Sequence, residues 1–115
     1  MTVFRAISLP AHGAVEIVLG LMTMVAPFLF SFGVAGGIAA MLIGLLLVGA
    51  ALQTVDRHSI NVGAHYALDY MAALGILVAA LAVGIFAGDK HATAYLAAVA
   101  VVQLGLNLGT RYTAA

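Results

Sequence analysis

Apolar residues in this chain fall into four long runs separated by brief polar breaks, without the two-residue alternation of strands or the one-sided stripe of a surface helix. The runs extend from about Ala11 to Phe32, Ile38 to Val55, Val62 to Ala87 and Ala92 to Thr110. Each approaches the roughly 20 residues that an α-helix needs to cross a hydrocarbon core of about 30 Å. The separators, Gly33 to Gly37, Asp56 to Asn61 and Gly88 to His91, are short enough to force antiparallel neighbours. The pattern therefore predicts an all-α fold: a four-transmembrane-helix bundle built from two tandem helical hairpins. A transmembrane β-barrel is the other way to satisfy the backbone in lipid, but the runs are rich in Ala, Leu and Gly and lack its alternation.

Composition removes the soluble alternatives. Charged residues make up 7% of the chain and hydrophobic ones 65%, with a mean hydropathy of +1.21, whereas a soluble domain carries about a quarter charged residues. Four acidic and four basic side chains cancel, leaving no basic footprint for nucleic acid. Cysteine is absent, which excludes disulfides, thiolate metal sites and dithiol redox chemistry. The stretch from Ala11 to Phe32 is too long for the core of a signal peptide and is read as a retained first helix. The expected surroundings are the lipid bilayer of a bacterial cytoplasmic membrane and further membrane-embedded protein, as a homo-oligomer or as a subunit of a membrane complex.

Orientation follows from the few cations. Arg5, Arg57 and Arg111 fall on one side of the four-span arrangement and Lys90 on the other, so the positive-inside rule puts both termini in the cytoplasm. Small residues recur at intervals of four, as Gly36, Ala40 and Gly44, then Ala80, Gly84 and Gly88, with Gly105 and Gly109 closing the fourth run. Such stripes let helix backbones approach closely, here within the bundle in preference to a dimer seam. Pro27 inside the first run predicts a kink near Thr23.

The polar residues inside the runs are duplicated. Laid on itself, the single membrane domain reads as two repeats, about 1–57 and 58–115, in which His12 falls on His65, Glu16 on Asp69, Gln53 on Asn107 and Arg57 on Arg111. Each repeat opens its first helix with His-x-x-x-acid and closes its second with amide-x-x-x-Arg. Two spans per repeat make the hairpins parallel, related by a pseudo-twofold axis along the membrane normal, and bring all eight residues to the cytoplasmic ends of their helices. Residues four apart share a helix face, and ionisable side chains in a span face the bundle interior. The simplest reading is two ion pairs, Glu16 and Asp69 with Arg57 and Arg111, each tying a first helix to a second.

Three functional readings compete with it. His12, Glu16, His65 and Asp69 offer a nitrogen and oxygen shell for a divalent metal such as zinc, iron or manganese. His12 and His65 at matching depth are candidate axial ligands of a haem. The same groups are candidate carriers of a proton or ion, although the opposite half of every span has no acidic or basic group to continue the path. His58 and His91 fall in predicted loops, Tyr66, Tyr70, Tyr95 and Tyr112 near the interfaces as an aromatic belt, and Phe28, Phe30 and Phe32 at the far end of the first helix.

The run Glu16-Ile17-Val18-Leu19-Gly20-Leu21-Met22, followed by Val25 to Gly33, resembles the repeat of the bacterial SPW-repeat integral membrane proteins, with Ala26-Pro27-Phe28 in the position of the Ser-Pro-Trp triplet. The resemblance implies a small bacterial four-helix membrane protein and supplies no catalytic residues. No nucleophile stands at a recognisable spacing from a base, and there is no phosphate loop. The leading expectation is a non-enzymatic structural or accessory bundle without a resident cofactor. A haem- or metal-binding redox protein, and a small transporter, channel or lipid-binding protein with a cytoplasm-facing polar pocket, are the alternatives.

Overall fold

The structure, a computed structural model, describes residues 6–53 and 62–112, the side chain of Val62 excepted. Four helices account for nearly all of them: α1 (Leu9–Leu29), α2 (Val34–Leu52), α3 (Val62–Ala87) and α4 (Lys90–Gly109). All four are long and apolar enough to cross a membrane. α1 packs chiefly on α2 and α3 chiefly on α4, so the bundle is two antiparallel hairpins that meet over smaller surfaces. The chain is an integral membrane protein by this architecture.

Helix boundaries follow from local chemistry. Ser8 caps α1, its hydroxyl accepting from Ala11 N at 3.3 Å, and Pro10 occupies the first turn, where a missing N–H is harmless. α1 runs through Pro27, near its end, and turns at Ser31, which adopts a left-handed φ of 54°. Three starts lie earlier than the hydropathy pattern predicts, α1 beginning at Leu9 instead of Ala11 behind its Ser8 cap. α2 begins at Val34 instead of Ile38, so Gly36 and Gly37 are helical, and α4 begins at Lys90 instead of Ala92.

Asp89 accounts for the early starts of α2 and α4. Its Oδ1 accepts from Ala92 N at 3.1 Å, capping α4, while its Oδ2 accepts from Gly33 N at 2.6 Å, at the N-cap position of α2. One carboxylate thus pins the α1–α2 turn to the α3–α4 turn. Asp89→Ala is expected to lower stability by about 1–2 kcal/mol, the range for a lost helix cap. Asp89→Asn should recover only part of that, because its single carbonyl oxygen can serve one of the two N–H groups, as measured by denaturant unfolding in detergent.

The core is made from small residues and a few leucines: Leu19, Ala40, Leu47, Ile76, Ala80, Leu96, Val99 and Ala100. Close approach is concentrated between α1 and α2. A Cβ on Gly44 would lie 2.6 Å from the Gly20 carbonyl oxygen, and one on Gly20 would lie 2.8 Å from the Gly44 carbonyl oxygen. Of the predicted small-residue stripes, Gly36, Ala40 and Gly44 are buried contacts, with Gly36 against Ala92 and Asp89. Gly84 packs against Thr93, whereas Gly88 serves a turn at φ 64° and Gly105 faces open space. Outward-facing residues are large and apolar, among them Phe28, Val34, Ile85 and Phe86.

Candidate functional site

Among the described residues, eight buried polar or charged side chains stand out in this apolar bundle, and seven of them, His12, Glu16, His65, Asp69, Gln103, Asn107 and Thr110, lie toward the end where the chain enters α1 and leaves α4. Helical spacing delivers them in pairs. His12 and Glu16 share one face of α1, His65 and Asp69 one face of α3, and Gln103 and Asn107 one face of α4. The two hairpins bring the first two pairs together, so that each of the four side chains offers one nitrogen or oxygen within 4.8 Å of the others.

His12 occupies the centre. Its Nε2 lies 3.2 Å from Glu16 Oε2 and 3.0 Å from Asp69 Oδ2, and its side chain is wholly buried. Its Nδ1 is 2.7 Å from Thr110 Oγ1, and Thr110 directs its own hydroxyl proton to the Leu106 carbonyl at 2.6 Å. Thr110 therefore accepts, and His12 Nδ1 carries the proton. His65 Nε2 is 3.3 Å from Asp69 Oδ2, at hydrogen-bond distance but not in hydrogen-bond direction, and has no hydrogen-bond partner. The imidazole rings stand edge to face with centroids 6.0 Å apart.

α4 and the segment after it close the cluster. Gln103 Nε2 donates to Glu16 Oε2 at 2.7 Å and to Asn107 Oδ1 at 2.9 Å, and Asn107 Nδ2 donates to the Asp69 carbonyl at 2.9 Å. Tyr112 donates its hydroxyl to Asp69 Oδ2 at 2.7 Å while its ring packs edge-on against His12 and Tyr66. Burial, and then the Asp69 carboxylate beside it, hold the Tyr112 phenol far above its usual titration range, so it remains a donor. Two backbone bonds position this segment: Ile7 N donates to the Gly109 carbonyl and Arg111 N to the Ile7 carbonyl, each at 2.9 Å. The residues on either side of the bundle's ends are thereby tied across the cluster.

The eight polar residues singled out by the repeat have different fates. His12, Glu16, His65, Asp69 and Asn107 converge. Gln53 stands apart at the end of α2, lining an apolar cavity of about 640 Å³ between α2 and α3 together with Leu46, Ala50, Met71, Ala72 and Gly75, and its buried Oε1 has no hydrogen-bond partner. Arg111 is exposed, and Arg57 lies outside the described residues. Among the described residues the carboxylates are paired with histidine, not with arginine as the charge count suggested. A guanidinium at the end of a span can reach water, so it has no need of a buried partner.

Gln103, Thr110 and Tyr112 are the contributors that the repeat pattern missed. Gln103 carried a legible signal, since an amide four residues before Asn107 marks a polar face on an otherwise apolar span. Tyr95 also departs from the expected belt: its hydroxyl is 3.3 Å from Thr23 Oγ1 and its ring lies between Phe30 and Phe32. His91 is exposed on α4, and His58 lies outside the described residues.

No family model, curated protein or solved structure matches the chain. The cluster is thus read from its own chemistry. Two acids and two imidazoles in a site closed to water can hold protons between nitrogen and oxygen, or a cation in their place.

Proposed function

We propose that this chain is a small bacterial membrane protein that acts within the bilayer as a structural or accessory bundle, its two hairpins clasped together by the buried histidine and carboxylate network. The observation that carries this reading is His12, a side chain of the first hairpin held simultaneously by Asp69 and Thr110 of the second. The polarity of the molecule is spent on joining its own halves, while the surface offered to lipid and neighbours is apolar. The duplicated His-x-x-x-acid pattern supports two copies of one hairpin, and Arg5, Arg57 and Arg111 against Lys90 support cytoplasmic termini. The SPW-repeat likeness around Ala26-Pro27-Phe28 fits the same reading.

The other two functions have less support. A haem between His12 and His65 would have to enter where His12 Nε2 already lies within 3.2 Å of two carboxylate oxygens. A transport path would have to cross the layer of Leu19, Leu47, Leu96 and Val99 beyond the cluster. Crosslinking in native membranes, followed by native mass spectrometry in mild detergent, tests the accessory role. Defined homo-oligomers or stoichiometric complexes are expected; a lone monomer crosslinked to nothing contradicts it.

A further inference from the structure

Hydrogen bonding alone leaves the cluster incompletely satisfied. Glu16 Oε1, Asp69 Oδ1, Gln103 Oε1 and His65 Nε2 are all buried without a hydrogen-bond partner, and a buried polar group left unpaired is destabilising, more so when charged. His65 is the most telling. It is 3% exposed, and its Nε2 approaches Asp69 without pointing a proton at it. A nitrogen so placed has its lone pair available to something that the acid does not supply.

The distances between neighbouring donor atoms suit a metal ion. With bonds of about 2.0–2.1 Å, a tetrahedral zinc site holds its ligand atoms roughly 3.3 Å apart. The separations here are 3.0 Å for His12 with Asp69, 3.2 Å for His12 with Glu16 and 3.3 Å for His65 with Asp69, and all four donor atoms lie within 4.8 Å of one another, so an ion would draw the wider pairs inward. The protonation pattern suits it too. Because His12 Nδ1 donates to Thr110, Nε2 is the nitrogen that faces the carboxylates, and an ion bound there takes the place of its proton. Outer partners of the kind that fix metal ligands are in place on three of the four side chains: Thr110 on His12, Gln103 on Glu16 and Tyr112 on Asp69. A doubly charged ion also neutralises the two carboxylates in a place where net charge is expensive.

We propose that His12, Glu16, His65 and Asp69 bind one divalent transition-metal ion of the zinc type, bridging the two hairpins. This goes beyond the structural role above, because the clasp then carries a ligand. The ion accounts for the unpartnered His65 Nε2 and offsets the charge of the two carboxylates; it does not account for Gln103 Oε1.

The test uses the full chain in mild detergent, stripped with a chelator and titrated separately with zinc and with cobalt. One zinc per chain is expected by elemental analysis, and cobalt should give the strong visible absorption of a four-coordinate nitrogen and oxygen site. His65→Ala should abolish both signals. Tyr112→Phe, which keeps all four ligands, should weaken binding about 10- to 100-fold, the usual effect of losing an outer partner. The exposed His91→Ala should leave binding unchanged.

Absence of zinc and cobalt binding in the folded wild-type chain overturns the proposal, as does binding that survives in a folded His65→Ala variant. If His65→Ala fails to fold, the cobalt spectrum of the wild type and the Tyr112→Phe shift still decide it. Loss of the metal claim would leave the hairpin clasp standing, because that is measured on the stripped protein.

Discussion

His12→Ala is expected to destabilise the bundle by about 3–5 kcal/mol, the cost of removing one partner from a buried charged group and leaving the others unpaired. His12 touches Glu16, Asp69 and Thr110 at once, so its loss sets two carboxylates facing each other in a site without water. Unfolding of the chelator-stripped protein in detergent reads the effect. Arg111→Ala, at an exposed position, should stay within about 0.5 kcal/mol of wild type. Equal losses at the two positions would mean that Arg111 supports the bundle as much as His12 does, against its exposed position.

The second large effect is expected at Gly44. Any side chain there runs into the backbone of α1, its Cβ 2.6 Å from the Gly20 carbonyl oxygen and 3.0 Å from Met24 N. Backbone cannot yield as the tip of a flexible side chain can. Gly44→Val should therefore part α1 from α2 and cost about 3 kcal/mol, at or beyond the upper end of ordinary overpacking. Gly105 is the control, since a Cβ there meets nothing within 4 Å. Gly105→Ala should be neutral, or stabilising by up to about 1 kcal/mol through helix propensity.

Much of this molecule was legible in its sequence because lipid imposes simple demands. A run of about 20 apolar residues with short connections leaves few architectures open. Ionisable residues inside such runs stand out, which is why His12, Glu16, His65 and Asp69 are visible as a set in the sequence. What stayed hidden depends on contacts far apart in sequence. Asp89 starts two helices by reaching across to Gly33, so the glycines after it read as loop but are helical.

Tyr112 looked like an interfacial tyrosine, and nothing local says otherwise. It turns inward because Ile7 pairs with the chain just past α4 and draws that segment over Asp69. Thr110 is similarly ambiguous, since a threonine at a helix end can serve lipid headgroups, its own backbone or a distant ring. The expectation of arginine pairs came from counting charges, which treats imidazole as a bystander. In the folded chain the imidazoles stand between the acids and Arg111 is exposed.

His12 of one hairpin and Asp69 of the other are partners in a single buried site. A double-mutant cycle with His12→Ala, Asp69→Ala and the pair, measured by unfolding in detergent after chelation, addresses that claim most directly. The prediction is a coupling of about 1.5–3 kcal/mol, in the range seen for contacting residues of one network. Losses that add to within about 0.5 kcal/mol would show the two side chains to be independent and would contradict the clasp.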